Sequence, residues 1–558
     1  MSRDTEEIYA DPLSDIDSDT DKVSMYSDED SDSDSDIMRR VRSQALPSWN
    51  DSDEDENNPD DESKWLEIDI KPEFHNFIGQ SGVQIPTEDL NDVKAVTKLV
   101  IGDDLMNLFV TESNRYRYQN SSNSSTGKNK EWTDISITEM KQFLGLIIVM
   151  GFVKKSEKDE YWSTDPLLCT PIFGNTMSRN RFRQIWRYWH FSNNDNCQNR
   201  LDKIRPVLTY VTEKFQTVYK PQKELFLDEN VIPWGGRLSS RKYNPAKLIK
   251  YGILVRMVCE AVSGYICKLE IYCAQGKTLQ TTIFSTLHPF LNLCHHIYMD
   301  TYYNSTKITE KLLEYETGVC GTIRKNRGVP NCLKNVNLKE NTTAYRRKNN
   351  TLIQAWKTKK KLVYMISTIH SADMVEIINH KTHEKMSKPI CVAEYDKYMK
   401  SVDRADQYLS YYPILRKTKK WTKKTTLYLL NCALFNAYII YTKLSGSNMR
   451  YKKFLFAVAR VWLDSTQETT DVYPNDPEPS TSTKRAPKYE PTGRLCSDMK
   501  KHRIVKIMGQ GKIKNPRRPC RVCTAAKKRS STAFMCSSCG VPLHVGKCFQ
   551  NYHTLSKY

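Results

Sequence analysis

Apolar and polar positions follow several successive patterns along this chain. The first 62 residues alternate Ser with acidic groups and hold few large apolar side chains, too few to offset the entropy of ordering, so a disordered arm is expected over 1–62. From Trp65 to about Tyr219 the spacing is helical. Ser136 and Glu139 form a capping-box signature ahead of MKQFLGLIIVM. A second helix is expected from Ser178, with Phe182, Ile185, Trp186 and Trp189 on one apolar face. Arg179, Arg181, Arg183 and Arg187 fall elsewhere on that helix, either on DNA phosphates or solvated. From about Glu224 the pattern shortens to β-branched and aromatic runs. LIKYGILVRMVCE and GYICKLEIYC read as a hairpin following a strand that ends near FLDENVIPW. A helix near 277–289, a strand HHIYMD, a helix KITEKLLEYE and a strand CGTIRKNRG follow. Between Gly328 and about Lys388 the runs are short polar strands, including TLIQAWKT and KLVYMISTIHS. TAYRRKNN and KTKKK there are basic enough to face DNA, although exposed hairpin turns look alike. The run TLYLLNCALFNAYIIY reads as a buried helix, and 465–494, rich in Pro, Ser, Thr and acidic residues without a period, as a linker.

Charge sharpens this division. The chain has 558 residues, enough for two to four folded units, and a net charge of +19. Residues 1–62 alone carry −17, so the remainder carries +36. Such a balance points to a polyanionic partner, because Lys and Arg gain affinity by releasing counterions from phosphates. The acidic arm would then compete with DNA for the basic surface, or merely solvate the chain. The N-terminus lacks a signal peptide, and the longest apolar run, 143–153, is too short to span a bilayer. No membrane partner is expected, and the 16 cysteines are expected as reduced thiols or metal ligands in a cytosolic or nuclear chain.

Three aspartates supply candidate chemistry. Asp228 and Asp300 each end an apolar run, where a carboxylate at a sheet edge is open to a hard cation. Asp403 and Asp406 are three residues apart and share one face of an expected helix. Carboxylates converging there can hold Mg²⁺, and two such ions can clamp an in-line phosphoryl displacement; capping or solvated aspartates are the alternative. Beyond them lies a basic run of Arg416, Lys417, Lys419, Lys420, Lys423 and Lys424 around Trp421. An aromatic ring among cations suits an unpaired base with its phosphates, or else Trp421 packs inward at a helix start.

The C-terminal cysteines carry a stronger signal. Cys520-x₂-Cys523 and Cys536-x₂-Cys539 are followed by His544, Cys548 and His553. Paired turns of this kind set thiolates at tetrahedral spacing for Zn²⁺, and a segment without its own core folds around such metal. Disulfides are the alternative. Two four-ligand sites need eight groups, and seven are found.

The motifs LDENVIPWGGR, YNPAKLIKYGI, GYICKLEIY, IYMDTYYNS, CGTIRKNRG and VDRADQYLSYY, in this order, resemble the piggyBac family of cut-and-paste DNA transposases, with a bat-derived member as the nearest likeness. The resemblance runs from about Trp65 to the C-terminus. It implies an α/β catalytic core of ribonuclease H-like type at 223–412, with Asp228, Asp300 and Asp403 as the metal-binding triad and Asp406 as a further functional residue. It implies a β-rich insertion at about 329–389, and a discontinuous helical dimerisation and DNA-binding domain at 63–222 and 413–464. A linker at 465–515 and a zinc-binding domain at 516–558, with interleaved ligands, complete the chain. The implied activity is excision and integration of TTAA-flanked elements with Mg²⁺ or Mn²⁺, by a nuclear homodimer acting on double-stranded transposon ends and target. The alternative is a host-retained DNA-binding protein without cleavage. Thr301 after Asp300, where relatives usually carry Asn, and Gly235 after Trp234, where the bat-derived member has Arg, depart from the pattern.

Overall fold

In the computed structural model, residues 64–73, 75–85, 92–120, 132–236, 238, 241–243, 251–272, 278–359, 361–378, 385–464, 495, 502–507 and 516–555 are described, and the chain divides into two units, 1–468 and 469–558. The acidic arm and the 465–494 linker lie outside the described residues.

The first unit is organised by a nine-stranded sheet. Short strands β1 (Gly82–Val83) and β2 (Tyr219–Lys220) pair beside it. Its longest members are β3 (Glu224–Pro233) and β5 (Tyr251–Glu260), antiparallel neighbours. β4 (Arg241–Tyr243) and β6 (Ile266–Ile271) share the outer edge of β5, which confirms the hairpin expected from sequence. On the other side of β3 come β7 (His296–Met299) and β8 (Gly318–Thr322), both parallel to it in sequence. Parallel neighbours need crossovers, and the helices Leu279–Leu287 and Thr306–Glu314 fill the intervals before β7 and β8. β5 is buried over almost its whole length, as a strand covered on both faces should be.

The segment expected as a β-rich insertion is rich in strands, and three of them join the main sheet. β9 (Thr343–Lys348), β10 (Thr351–Lys357) and β11 (Leu362–Ser367) continue the same sheet in the order β8-β11-β10-β9, all antiparallel. A separate ribbon, β12 (Met374–Ile378) and β13 (Lys385–Pro389), leads into the helices Ile390–Tyr398 and Lys400–Tyr411. The insertion has its own small core of Ile323, Val329, Leu333, Ile353, Ala355, Tyr364 and Ile366, and Trp65 completes it. Residues 64–70, placed by sequence in the helical part at 63–222, here lie along the strands of the insertion. Leu66 pairs with Arg347 of β9, and the Asp69 carboxylate receives the Arg347 guanidinium at 2.8 Å and the Ala372 amide at 2.8 Å. Arg347, read from sequence as either DNA-facing or part of an exposed hairpin turn, is consequently buried.

The helical parts before and after the sheet pack as one layer. Ile137–Phe152 lies against Tyr451–Leu463, and Trp421–Ser445 against Val93–Val100 and Arg205–Val218. The Ser136 hydroxyl accepts from the Glu139 amide at 3.2 Å, as the capping signature predicts. The Glu139 carboxylate does not return to Ser136. It is taken by Arg181 through two charge-assisted bonds, from Nε at 2.6 Å and Nη2 at 2.5 Å. The second expected helix spans Arg179–Tyr188, with Phe182 and Ile185 inside and Trp189 at its end. The buried Trp421–Ser445 helix is fixed to the sheet by Asn436. Its amide oxygen accepts from the Ile266 N–H at 2.9 Å and its amide nitrogen donates to the Ile266 carbonyl at 2.8 Å, the pairing a neighbouring strand would make.

Candidate paired-carboxylate site and Cys/His module

β3 and β7 run parallel in the register Leu227↔Met299. One residue further along each strand stand Asp228 and Asp300, so the ladder sets them side by side, about 4.8 Å apart at the backbone. Both are half-buried. The Asp228 carboxylate accepts from the Glu229 amide at 2.7 Å, and that of Asp300 from the Tyr302 amide at 2.8 Å. Tyr395 reports their shared field. Burial, then the charge of Asp300 and, further down, that of Asp228 push its hydroxyl well up from the ordinary phenol value. Asp403 and Asp406 lie on the helix Lys400–Tyr411, which packs against β3 and β5 through its buried Ala405 and Leu409. The side chains of Asp403 and Asp406 themselves are outside the described residues. The sheet thus sets the first two aspartates side by side, and the helix that carries the third packs against β3 and β5.

The end of β7 is held from behind. Asn304, fully buried, donates its amide to the carbonyls of Met299, Asp300 and Thr322 at 3.0, 3.3 and 3.0 Å. Gly321 of β8 lies opposite Met299, and a Cβ there would overlap both the Met299 carbonyl oxygen and the Asn304 amide. Gly321→Ala is therefore expected to push the strands apart, lowering stability by about 1–3 kcal/mol, as overpacking does. Thermal unfolding measures it; an unchanged melting temperature would show that β7 yields freely.

The basic run does not sit as expected. Lys423 is 2% exposed and donates to the carbonyls of Trp186 and Arg187 at the end of the Arg179–Tyr188 helix, where a cation is favoured. Burial, then Lys420 and Lys158, push its amine down to about 7. Arg416 donates to the Ile147 carbonyl at 2.9 Å and is pushed down by burial to about 10, and Lys424 reaches the Arg416 carbonyl at 3.4 Å, pushed down mainly by burial to about 8. All three donate to backbone carbonyls, and Lys423 alone caps a helix end. Trp421 is half-buried against the core, and Lys417, Lys419 and Lys420 are exposed. Lys158 joins this cluster, donating to the Lys417 carbonyl at 2.9 Å with its ammonium 4.5 Å from the Trp186 ring centre. Its distance along the chain hid it from sequence reasoning. Two of the arginines left open, Arg181 and Arg183, form ion pairs with Glu139 and Asp159.

In the second unit His502 stands where an eighth ligand could come from. Cys520, Cys523, His544 and Cys548 form one cluster, and His502, Cys536, Cys539 and His553 another, with all ligand atoms of each within 4.8 Å. His502 Nδ1 lies 3.7 Å from Cys536 Sγ and 3.5 Å from Cys539 Sγ, and His553 Nε2 lies 3.5 Å from Cys539 Sγ. Cys523 Sγ lies 3.5 Å from His544 Nδ1 and 3.8 Å from Cys548 Sγ. Bond lengths of about 2.3 Å to sulfur and 2.0–2.1 Å to nitrogen give tetrahedron edges of about this size, so both donor sets fit Zn²⁺. The outer partners agree. His553 Nδ1 faces the Phe549 carbonyl at 2.7 Å, leaving Nε2 for metal. The two sets interleave along the chain. Residues 502–507, read from sequence as linker, join the module. β14 (Ile504–Lys506) pairs with β17 (Phe534–Cys536), and β15 (Arg518–Pro519) with β16 (Ser531–Thr532). From Lys500 to Tyr558 the chain has 14 Lys and Arg and no Asp or Glu.

Fold and sites together define an α/β protein with paired carboxylates on two adjacent inner strands of its sheet and a C-terminal zinc-finger-like domain. Residues 98–438 match the family model described as Transposase IS4, and 497–554 one described as a DDE_Tnp_1-like zinc finger. The chain belongs to that transposase family. It is similar to human PiggyBac transposable element-derived protein 3, 24% identical over 82% of this chain and 76% of the relative. It is also similar to human PiggyBac transposable element-derived protein 2, 22% identical over 73% of this chain and 71% of the relative. Its fold matches the piggyBac transposase of a synaptic complex with hairpin DNA, with a TM-score of 0.62 and 22% identity over 83% of this chain and all of the other. No described helix is long and apolar enough to cross a membrane.

Proposed function

We propose that this chain is a cut-and-paste DNA transposase that cleaves and joins strands at TTAA-flanked element ends. The observation that carries this reading is the register that sets Asp228 beside Asp300, with the helix bearing Asp403 packed on the same strands. The strand order β6-β5-β3-β7-β8, three antiparallel strands followed by two parallel ones, supports a ribonuclease H-like core. Asp228, Asp300 and Asp403 would hold Mg²⁺ or Mn²⁺, since ionised carboxylates are the hard oxygen donors these cations prefer. The bound ions would supply Lewis acidity and charge neutralisation at phosphorus. The protein's own part is to hold two carboxylates in fixed separation on two adjacent inner strands, and to present Lys417, Lys419, Lys420 and the acid-free tail to phosphates. The net charge of +36 beyond residue 62 supports double-stranded DNA as the partner. A nuclear homodimer, akin to the bat-derived family member, follows from the motif resemblance.

A second reading is a retained DNA-binding protein without cleavage. It is favoured by the names of the human relatives, both transposable element-derived. An excision assay with candidate TTAA-flanked ends in Mg²⁺ separates the two. Nicking at the ends supports the transposase; binding of end DNA without any nick in Mg²⁺ or Mn²⁺ supports the binder.

A further inference from the structure

Strand alternation puts Glu229 on the face of β3 opposite Asp228. There the register aligns three charged residues across three strands, Glu229 with Arg256 of β5 and Arg256 with Glu270 of β6. Cross-strand partners of this kind have Cβ atoms about 5 Å apart. Glu229 and Arg256 are 7% and 6% exposed, deep for charged side chains. At the outer end, Glu270 is anchored by the hydroxyls of Thr286 at 2.5 Å and Ser285 at 3.4 Å, both on the Leu279–Leu287 helix. At the inner end, the hydroxyl of Tyr303 donates to Glu229 Oε2 at 2.7 Å. Tyr303 is fully buried, and its amide closes the turn onto the Asp300 carbonyl at 3.2 Å. One buried hydrogen bond therefore joins the residue after Asp228 to the turn that begins at Asp300. A row of buried charges is a poor source of stability, since well-packed apolar residues usually serve as well or better. What such a row offers is a fixed register.

We propose that Tyr303 and Glu229 are positioning residues that set the separation of the Asp228 and Asp300 carboxylates and thereby the affinity of that pair for a divalent cation. This rests on the reading that those aspartates hold metal. Mg²⁺ demands near-ideal octahedral geometry, so a small drift of one carboxylate weakens its hold. Groups behind metal ligands typically change affinity by about 10–100-fold when removed.

The test uses the full chain without DNA. Mn²⁺ binding is followed by the loss of the free-ion paramagnetic resonance signal, and Mg²⁺ by competition, with Asp300→Asn as the reference for a destroyed site. Tyr303→Phe keeps the ring and removes the hydroxyl; it should weaken both ions by about 10-fold or more. Glu229→Ala, which removes the acceptor from the other side, should weaken them similarly, and Glu229→Gln, which retains an oxygen for Tyr303, should bind more tightly than Glu229→Ala. That last contrast decides the matter even where Tyr303→Phe does not fold. Equal affinities for the parent, Tyr303→Phe and both Glu229 variants overturn the proposal, whatever happens to the melting temperature, and leave the metal reading standing. A parent that binds no more Mn²⁺ than Asp300→Asn overturns the metal reading and the proposal with it.

Discussion

Asp300→Asn is expected to abolish strand cleavage at element ends while leaving DNA affinity intact. The amide has the size of the carboxylate but not its charge, and a hard cation held by neighbouring carboxylates loses a strong ligand. The transition state of phosphoryl transfer would then lack several kcal/mol of charge stabilisation, a fall in rate on the order of 10³-fold or more. On the proposed reading DNA binding would rest on cations elsewhere, on Lys417, Lys419, Lys420 and the basic tail, and would lose nothing when a negative charge is removed. Cleavage of labelled end DNA, alongside a salt titration of binding, reads both quantities. Equal cleavage by parent and variant would remove Asp300 from the chemistry.

The second large effect concerns the tail. Its core is small, with Val522, Val541, Leu543 and Tyr552 as its main buried side chains beyond the buried ligand cysteines. Such a core cannot offset the ordering entropy of some fifty residues at about 1–2 kcal/mol each. Metal ligation, worth about 10–16 kcal/mol per site in small zinc-dependent folds, must supply the difference. Chelation is therefore expected to unfold 502–555 cooperatively and leave the first unit folded. Metal analysis of the native chain should find two zinc ions. His502→Ala leaves Cys536, Cys539 and His553 as an incomplete set, so its second zinc should be lost first on titration with chelator. A variant that retains both ions with parental affinity would show that His502 is not a ligand. A tail whose amide spectrum is unchanged by chelation would rule out a metal-dependent fold.

Much of this architecture was legible in the sequence because local pattern and fold agree. The run before Asp228, the hairpin of β5 and β6, and the alternation of helix and strand through β8 follow their periods closely. The Cys-x₂-Cys pairs announced metal by spacing alone. What stayed hidden depends on partners distant in the chain. Nothing local tells a reader that Arg347 is neutralised by Asp69, or that Lys423 ends a helix begun at Arg179. Both look like solvated or DNA-facing cations until the tertiary contact is seen. His502 was passed over for a similar reason. It is a lone histidine in a basic stretch, well upstream of the cysteine pairs, and only the β14–β17 pairing brings it to them. The Asp228–Asp300 neighbourhood is intermediate. Each residue follows an apolar run, but Asp228 lies midway along β3 and Asp300 just past β7, and that the two strands are adjacent, parallel and in step is a property of the register.

The continuity of β11, β10 and β9 with β7 and β8 has a mechanical consequence. A hydrogen-bonded ladder resists stretching across its strands, and no hinge interrupts the path from β7 to β9. Four strand spacings of about 4.8 Å separate them, so the insertion acts as a ruler of about 19 Å laid across the sheet from Asp300. Whatever rests on β9 is therefore tied to the strand preceding Asp300 through an unbroken series of paired strands.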